Sequence, residues 1–351
     1  ESYSLDHIAH TVLGEKKLSY EEYGSLHSLY KENHQKFIDY NIRDVDLVDR
    51  INNETGLMDL GLIIAYKGGV NFPDVFGTTA IWDSIIYRYL SRQKIAIPPS
   101  ERKDKGQYPG GFVKDPRIGI SEWVTSFDLN SLYPNLIVQY NMSPETLLED
   151  VYLPSGVDTY LIDGDPLHPA NRENNMAVAA NGSCYSKEKR GFLPELIIGL
   201  YDERRVTKNK MLSTQKENEK TPSTDLKREI NRLNNTQQAV KILLNSLYGA
   251  LGNQYFRYFD LRIAEGITLS GQLSVRWAEK AINDYLNSVL KTETDYVLAI
   301  DTDSLYVNLG PLVKEVNPKS PVDFLDKIAS EKLEPVFEKS YDDLFNILGG
   351  I

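Results

Sequence analysis

The 351-residue chain is short of the residues that staple or anchor a protein. It has one cysteine, Cys184, so it closes no internal disulfide and builds no thiolate metal site. No apolar run approaches the roughly 18 residues that span a bilayer, and no signal-peptide pattern is read, so no membrane partner is expected. Positive charge is scarce: 39 Lys and Arg against 50 Asp and Glu leave −11. Any nucleic-acid binding must therefore come from a local basic surface. There is no internal repeat and no low-complexity tract. What remains is ordinary for a globular chain in a reducing, cytoplasmic setting, with 41% hydrophobic and 25% charged residues. The length exceeds one compact core and predicts two or three domains.

Along the chain, the opening "ESYSLDHIAHTVLGEKKLSY" shows no helix cap and reads as an entry in mid-domain. Phe37, Ile38, Ile42, Val45 and Val48 recur at helical spacing. Helices are also expected around "MDLGLIIAY" and "TAIWDSIIYRYL" within 56–92. The loop 97–111, rich in Pro, Gly and charge, is the candidate boundary. "EWVTSFDL" reads as a strand. Segment 153–191 reads as polar and irregular, with Pro154, Pro166, Pro169 and Gly182. Two long helices are expected at roughly 193–213 and 226–250, then a helical "ITLSGQLSVRWAEKAINDYLNSVL", a hairpin and a final helix. Interleaved helices and few strands favour α+β over a parallel α/β sheet.

The hairpin "YVLAIDTDSLYVNL", 296–309, places Asp301 and Asp303 between two apolar strands. They share a face if the strand continues, or flank a tight turn. Taken alone, the pair reads equally well as a surface turn. A second apolar strand, "VTSFDLNSLYPNLIV", ends in Asp128. Carboxylates at the ends of neighbouring strands suit a divalent cation: Mg²⁺ takes one or two of them together with phosphate oxygens and water. Two such ions about 4 Å apart clamp the oxygens of a phosphoryl transfer.

In "NNTQQAVKILLNSLYGALGN", Lys241, Asn245 and Tyr248 share one helix face. They offer a cation, a polar contact and a flat ring; the alternative is a solvated face with a snorkelling lysine. Arg204 and Lys208 are four apart on the preceding helix. Residues 203–241 hold ten Lys/Arg against five Asp/Glu. This is either the basic surface that the net charge conceals or an ordinary charged helical hairpin.

"DLNSLYP", "KILLNSLYG" and "DTDS", in this order, resemble the three polymerase motifs of the family B (α-like) DNA polymerases. "NSLYGALGNQYFRYFDLR" and "MSPETL" are similar to the replicative polymerases of T4-like bacteriophages, and the resemblance covers nearly the whole chain. It implies a palm with an antiparallel sheet at 116–192 and 254–351, and a helical fingers hairpin at 193–253. It further implies a connecting segment at 57–115 and the remnant of a ribonuclease H-like 3′–5′ exonuclease domain at 1–56. By the same resemblance, Asp128 and Asp303 hold two Mg²⁺ ions, which Mn²⁺ can replace, with the backbone of Leu129 as a further ligand and Asp301 in support. Arg204, Lys208, Lys241 and Asn245 hold the triphosphate of a dNTP, and Ser131 and Leu132 belong to the turn around the phosphates. Tyr133 sits beneath the deoxyribose and leaves no room for a 2′-hydroxyl, unless it is a core tyrosine. Tyr248 lies near the nascent base pair. "YPGGF", with Tyr108, Gly110 and Gly111, is similar to a loop that touches the template strand, although Gly-Gly loops are common.

"YNIRD", with Tyr40 and Asp44, resembles the last exonuclease motif. The other exonuclease motifs and the thumb are not found, so 1–56 is expected to be inactive and the thumb absent. The expected partners are primer–template DNA, dNTPs, a thumb-bearing remainder of the polymerase and a sliding clamp. Three readings compete: a polymerase core, a non-catalytic dNTP-, DNA- or metal-binding module, and a metal-dependent nuclease. The nuclease leaves Lys241, Asn245 and Tyr248 unexplained.

Overall fold

The computed structural model describes residues 2–101, 104, 106–153, 156–163 and 175–351. Pro154, Pro166 and Pro169 of the irregular segment, and residues 102, 103 and 105 of the loop 97–111, lie outside these. The chain divides into two compact units. One comprises residues 1–75 with 207–239, the other 76–206 with 240–351. These boundaries are set by tertiary contacts and do not coincide with the Pro- and Gly-rich loop.

The first unit holds four consecutive helices: α1 (Leu5–Leu13), α2 (Leu26–Glu32), α3 (His34–Thr55) and α4 (Leu57–Gly68). The start of the chain is capped after all. Ser4 accepts a hydrogen bond from the His7 amide, 3.4 Å, and Gly14 closes α1 in the left-handed region. Helix α3 forms where its apolar spacing predicts it, with Asn33 capping its start. The buried face differs from the one expected. Tyr40 and Leu47, seven residues apart, are buried, whereas Ile42, Val45 and Val48 are exposed. The α3 side that packs is the one facing α1 and the segment after it, where Tyr20 meets Tyr40 edge-on at 5.4 Å.

In the second unit, α5 (Thr78–Arg92) precedes β1 (Val113–Lys114), β2 (Val124–Asp128), α6 (Leu132–Gln139), β3 (Leu147–Tyr152) and α7 (Val157–Asp163). Strands β4 (Met176–Val178) and β5 (Ser183–Ser186) follow, then the long helices α8 (Phe192–Lys220) and α9 (Thr224–Leu251). Helix α10 (Leu261–Leu290) comes before the hairpin of β6 (Val297–Asp301) and β7 (Ser304–Asn308). Short helices lead to a last one at Glu334–Leu348. Residues up to 206 of α8 and from 240 of α9 belong to this unit.

Two antiparallel sheets result, ordered β1-β6-β7-β2 and β3-β5-β4. The expected mixture of helices and antiparallel strands is observed. The second sheet corrects the reading of 153–191 as irregular: β4 and β5 lie within it, and "MAVAA" and "SCY" are buried. Those runs are too short to stand out by alternation, and both are buried, so neither shows a solvent-facing side to alternate with.

Helix α10 lies at the centre of this unit. Asp260 caps it, accepting from the Arg262 amide at 2.9 Å. Its small residues, among them Gly266, Ser270, Gly271, Ser274 and Ala278, are buried and allow neighbouring elements to approach its backbone. Val275, Ala278, Ile282 and Leu286 pack with Val297, Ile300, Leu305 and Val307 of the hairpin. A second cluster joins α6, the small sheet, α5 and the nearer parts of α8 and α9. Lys114 fixes β1 to this frame, with Nζ 2.5 Å from both Glu279 and Asp295 and 2.9 Å from the Val297 carbonyl.

Trp82 of α5 is fully buried, and its indole N–H donates to the Leu243 carbonyl, 3.2 Å, and to Ser246 Oγ, 3.0 Å. Removing it leaves a large cavity, while the Leu243 carbonyl keeps the Ser246 hydroxyl as a donor, 2.8 Å. Trp82→Ala is expected to destabilise the second unit by about 3–5 kcal/mol, read as a lower midpoint in urea unfolding. A midpoint like that of the wild type would mean that α5 does not hold α9 through this side chain.

Candidate active site

Strand β2 pairs with β7 so that Asp128 lies opposite Ser304, and β6 pairs with β7 so that Asp301 also lies opposite Ser304. The pairing alone carries residues 128 and 301 to one end of the sheet. The turn between β6 and β7 is only Thr302 and Asp303, so Asp301 ends β6, Asp303 lies within the tight turn, and the two do not alternate along a strand. Thr302 adopts a left-handed backbone, φ 53°. Its amide donates to the Phe112 carbonyl, 2.9 Å, and its hydroxyl donates to Asp301 Oδ1, 3.2 Å. The Leu129 amide donates to the Asp303 carbonyl, 2.7 Å, locking the end of β2 to the hairpin tip.

After Asp128 the chain turns through Ser131, also left-handed at φ 52°, and enters α6 at Leu132. The start of α6, the positive end of its dipole, borders the same cavity as Asp128 and Asp303. A cavity of about 450 Å³ opens here. Its walls include Asp128, Asp303, Ser131, Leu132, Tyr133, Arg204, Lys241, Asn245 and Tyr248. Residues from four separate parts of the chain thus converge. Arg204 contributes a buried Nε with no hydrogen-bond partner. Lys241 and Asn245 are exposed on α9.

Burial raises the Asp303 carboxyl above the usual carboxylate range, and the charge of Asp128, with a smaller contribution from Asp301, pushes the same way. Positive charge in the cavity would favour the ionised form of Asp303. The Tyr133 ring meets Tyr248 at 4.7 Å between centroids and a 50° tilt. Burial, the Asp303 charge and Tyr108 raise the Tyr133 phenol. Burial and a hydrogen bond with Tyr108 raise the Tyr248 phenol strongly.

The loop 108–112 also reaches this place. Gln272 of α10 donates to the Gly110 carbonyl, 2.6 Å. Gly111 lies so close to Thr302 that a Cβ there would be 2.8 Å from its hydroxyl. Tyr108, Gly110 and Gly111 are thus brought beside Tyr248, Thr302 and Tyr133.

Leu129, Asp301 and Lys208, expected to hold metal or triphosphate, are not among the residues that line the cavity. Asp301 is exposed and does not line it. Lys208 is exposed on the stretch of α8 that belongs to the first unit. Conversely, Asn130 and Thr302 line the cavity without having been singled out. Thr302 sits between two acids in "DTDS", and that proximity was the only signal available.

Tyr40 and Asp44 lie in the first unit. Lys17 Nζ is 2.8 Å from Asp44 Oδ2 and 4.8 Å from the Tyr40 ring centroid. Burial works against the Lys17 charge, but hydrogen bonds with Asp44 and Tyr40 outweigh it and raise its pKa. The neighbouring acid Asp46 is paired with Arg43, 3.1 Å, and Arg50, 3.5 Å, which fits the alternative of a charged helix face. Lys17 was missed because its partner is 27 residues away, beyond any local pattern.

Among the described residues, no three His, Cys, Asp or Glu side chains are grouped as a ready-made metal site. Among the same residues, no helix is long and apolar enough to cross a membrane.

Residues 78–342 match the sequence profile of DNA polymerase family B. The DNA-directed DNA polymerase of Escherichia phage RB69 is 34% identical over 98% of this chain, and that of Enterobacteria phage T4 is 32% identical over 98%. DNA polymerase II of Escherichia coli is 27% identical over 84%. The chain belongs to DNA polymerase family B, and the likeness to T4-like phage polymerases seen in its motifs is borne out. It spans 42% and 43% of the two phage relatives and 33% of the bacterial one.

The crowded carboxyls give a prediction. Because the Asp303 pKa is raised on folding, its contribution favours the fold below the ordinary carboxyl range and is lost as pH rises through the raised value. Asp303→Asn in metal-free buffer is therefore expected to raise the melting temperature at neutral pH by about 1–3 °C. The gain should shrink toward zero in acid. A variant that melts lower than wild type at neutral pH would contradict the assigned crowding.

Proposed function

We propose that this chain is the palm and fingers core of a DNA-templated DNA polymerase, adding dNTPs to a primer 3′ end. The observation that carries the reading is the convergence of Asp128, Asp303, Arg204, Lys241, Asn245 and Tyr133 on one cavity. Paired acids opposite paired cations suit a substrate that brings both metal and phosphate. The family B relatives are named as polymerases, which supports the same reading.

The donor set fits a hard divalent ion. Two carboxylates alone make no closed site, but they suffice for Mg²⁺ that arrives with triphosphate oxygens and keeps water. When bound, two such ions would neutralise charge on the attacking and leaving oxygens. Asp128 and Asp303 would hold them, with the Leu129 carbonyl as a further oxygen ligand and Asp301 beside them.

The chain's own residues do the rest. Arg204 and Lys241 place positive charge against the triphosphate, joined by Asn245, and Lys208 would extend that surface. The amides at the start of α6, around Ser131 and Leu132, face phosphate oxygens. Tyr133 supports the deoxyribose, Tyr248 borders the new base pair, and the loop with Tyr108, Gly110 and Gly111 borders the template. Most of the rate then comes from positioning and charge neutralisation. In this reading 116–192 and 254–351 are palm, 193–253 fingers, 57–115 a connecting segment and 1–56 the exonuclease remnant. A thumb-bearing partner and a sliding clamp complete the assembly.

The test is primer extension in Mg²⁺, with and without a thumb-bearing fragment of a family B polymerase. Lys241→Ala is expected to raise the apparent KM for dNTP by about 10–100-fold, the worth of one hydrogen bond to a charged group. Tyr133→Ala should lower the ratio of kcat/KM for dNTP over rNTP. Nucleotide binding without extension under either condition would assign the chain to the non-catalytic alternative. A KM unchanged in Lys241→Ala would remove that residue from the triphosphate site.

A further inference from the structure

Tyr133 stands on α10 at one residue. A Cβ built at Gly271 would lie 2.8 Å from Tyr133 Cε1 and 3.5 Å from Cδ1. Real Cβ atoms do not approach an aromatic carbon at 2.8 Å, so the ring occupies the volume that any other residue at 271 would fill. Gly271 is buried in mid-helix, where glycine costs about 0.5–1 kcal/mol relative to alanine. Its backbone shows no positive φ. The glycine therefore serves the close approach and not a turn.

The ring is confined on its other sides as well. At its hydroxyl, a Cβ on Gly111 would lie 3.2 Å away. Tyr248 packs at 4.7 Å between centroids. The direction left open is the cavity that Tyr133 lines. A methyl group at 271 would push the ring that way, into the space assigned above to the sugar.

We propose that Gly271 is a positioning residue for sugar selection, setting how deeply the Tyr133 ring lies below the nucleotide. The proposal rests on the nucleotide reading of this cavity. Both added atoms act on the same small volume, the 2′-hydroxyl from the substrate side and a 271 methyl from the helix side. Gly271→Ala should therefore weaken dATP, which needs the ring in its low position. ATP, which the ring already displaces, should be affected less.

The experiment is calorimetric titration of dATP and of ATP, in Mg²⁺, onto the full chain bound to a primer–template with a dideoxy-terminated primer. Turnover is thereby excluded. Wild type, Gly271→Ala, Tyr133→Ala and the double variant are compared. In Gly271→Ala, dATP affinity is expected to fall about tenfold or more, the scale of overpacking, and the dATP/ATP ratio to fall with it. In the Tyr133→Ala background the same change should have little effect on either nucleotide. Melting temperatures supply a second measurement. Gly271→Ala should lower the melting temperature, and Tyr133→Ala should remove most of that loss, because the clash partner is gone.

If wild type binds neither nucleotide, or binds both equally, the reading of the cavity fails and this proposal with it. If wild type prefers dATP and Gly271→Ala keeps the full preference, the proposal alone is overturned. It is likewise overturned if Gly271→Ala costs the same in both backgrounds, in binding or, should the single variant not fold, in failure to fold with Tyr133 removed.

Discussion

The constraint on which the site depends is the antiparallel pairing of β2 and β6 on either side of β7. It forces Asp128 toward the hairpin tip that carries Asp303, and the Leu129 amide closes the contact through the Asp303 carbonyl. The attraction that assembles this region is hydrophobic: the apolar faces of β6 and β7 pack on α10. The carboxyls are carried along, and burial, together with the charge of Asp128, makes Asp303 hold its proton more tightly than an isolated carboxyl. A site held together by its core and strained at its acids is prepared for cations before any arrive.

The opposite wall is built on the same logic. Helices α8 and α9 bury Leu193, Ile197, Val240, Leu244 and Leu247 against the core. Lys241 and Asn245 are left facing the cavity because they are not on that buried side, whereas Arg204, seven residues on from Ile197 on the same face of α8, continues the buried row to the cavity. The acids belong to sheet ends and the cations to helix faces, so each side can be altered without dismantling the other. Tyr133 is the exception, since it borders the acid side at Gly111 and packs on α10 at Gly271 and on α9 at Tyr248.

How much of this could be read in the sequence follows from the range of the interactions involved. The long helices α8, α9 and α10 and the β6–β7 hairpin were legible, because periodicity and turn chemistry act within a few residues. Asp128, Asp303, Lys241 and Asn245 were legible as separate signals, and the family motifs joined them. The small sheet was hidden because β4 and β5 are short and buried without polar alternation. The buried side of α3 was misjudged because Tyr40 and Leu47, and not the more regular Ile42, Val45 and Val48, meet their neighbours. Gly271 and Gln272 carried no signal, since their roles arise from contacts made only when α10 passes behind Tyr133 and the loop at Gly110.

The hydrogen bonds of Trp82 have an optical consequence. Its indole is shut off from solvent and bonded to the same turn of α9 whose other side carries Lys241 and Asn245. The chain has three tryptophans; Trp123 is partly open to water, and Trp277 of α10 donates to the Ser340 carbonyl. Emission from Trp82 should therefore lie at shorter wavelength than that of Trp123 and resist collisional quenchers. A rotation of α9 that re-aims its cations would break those bonds, giving the helix a built-in fluorophore.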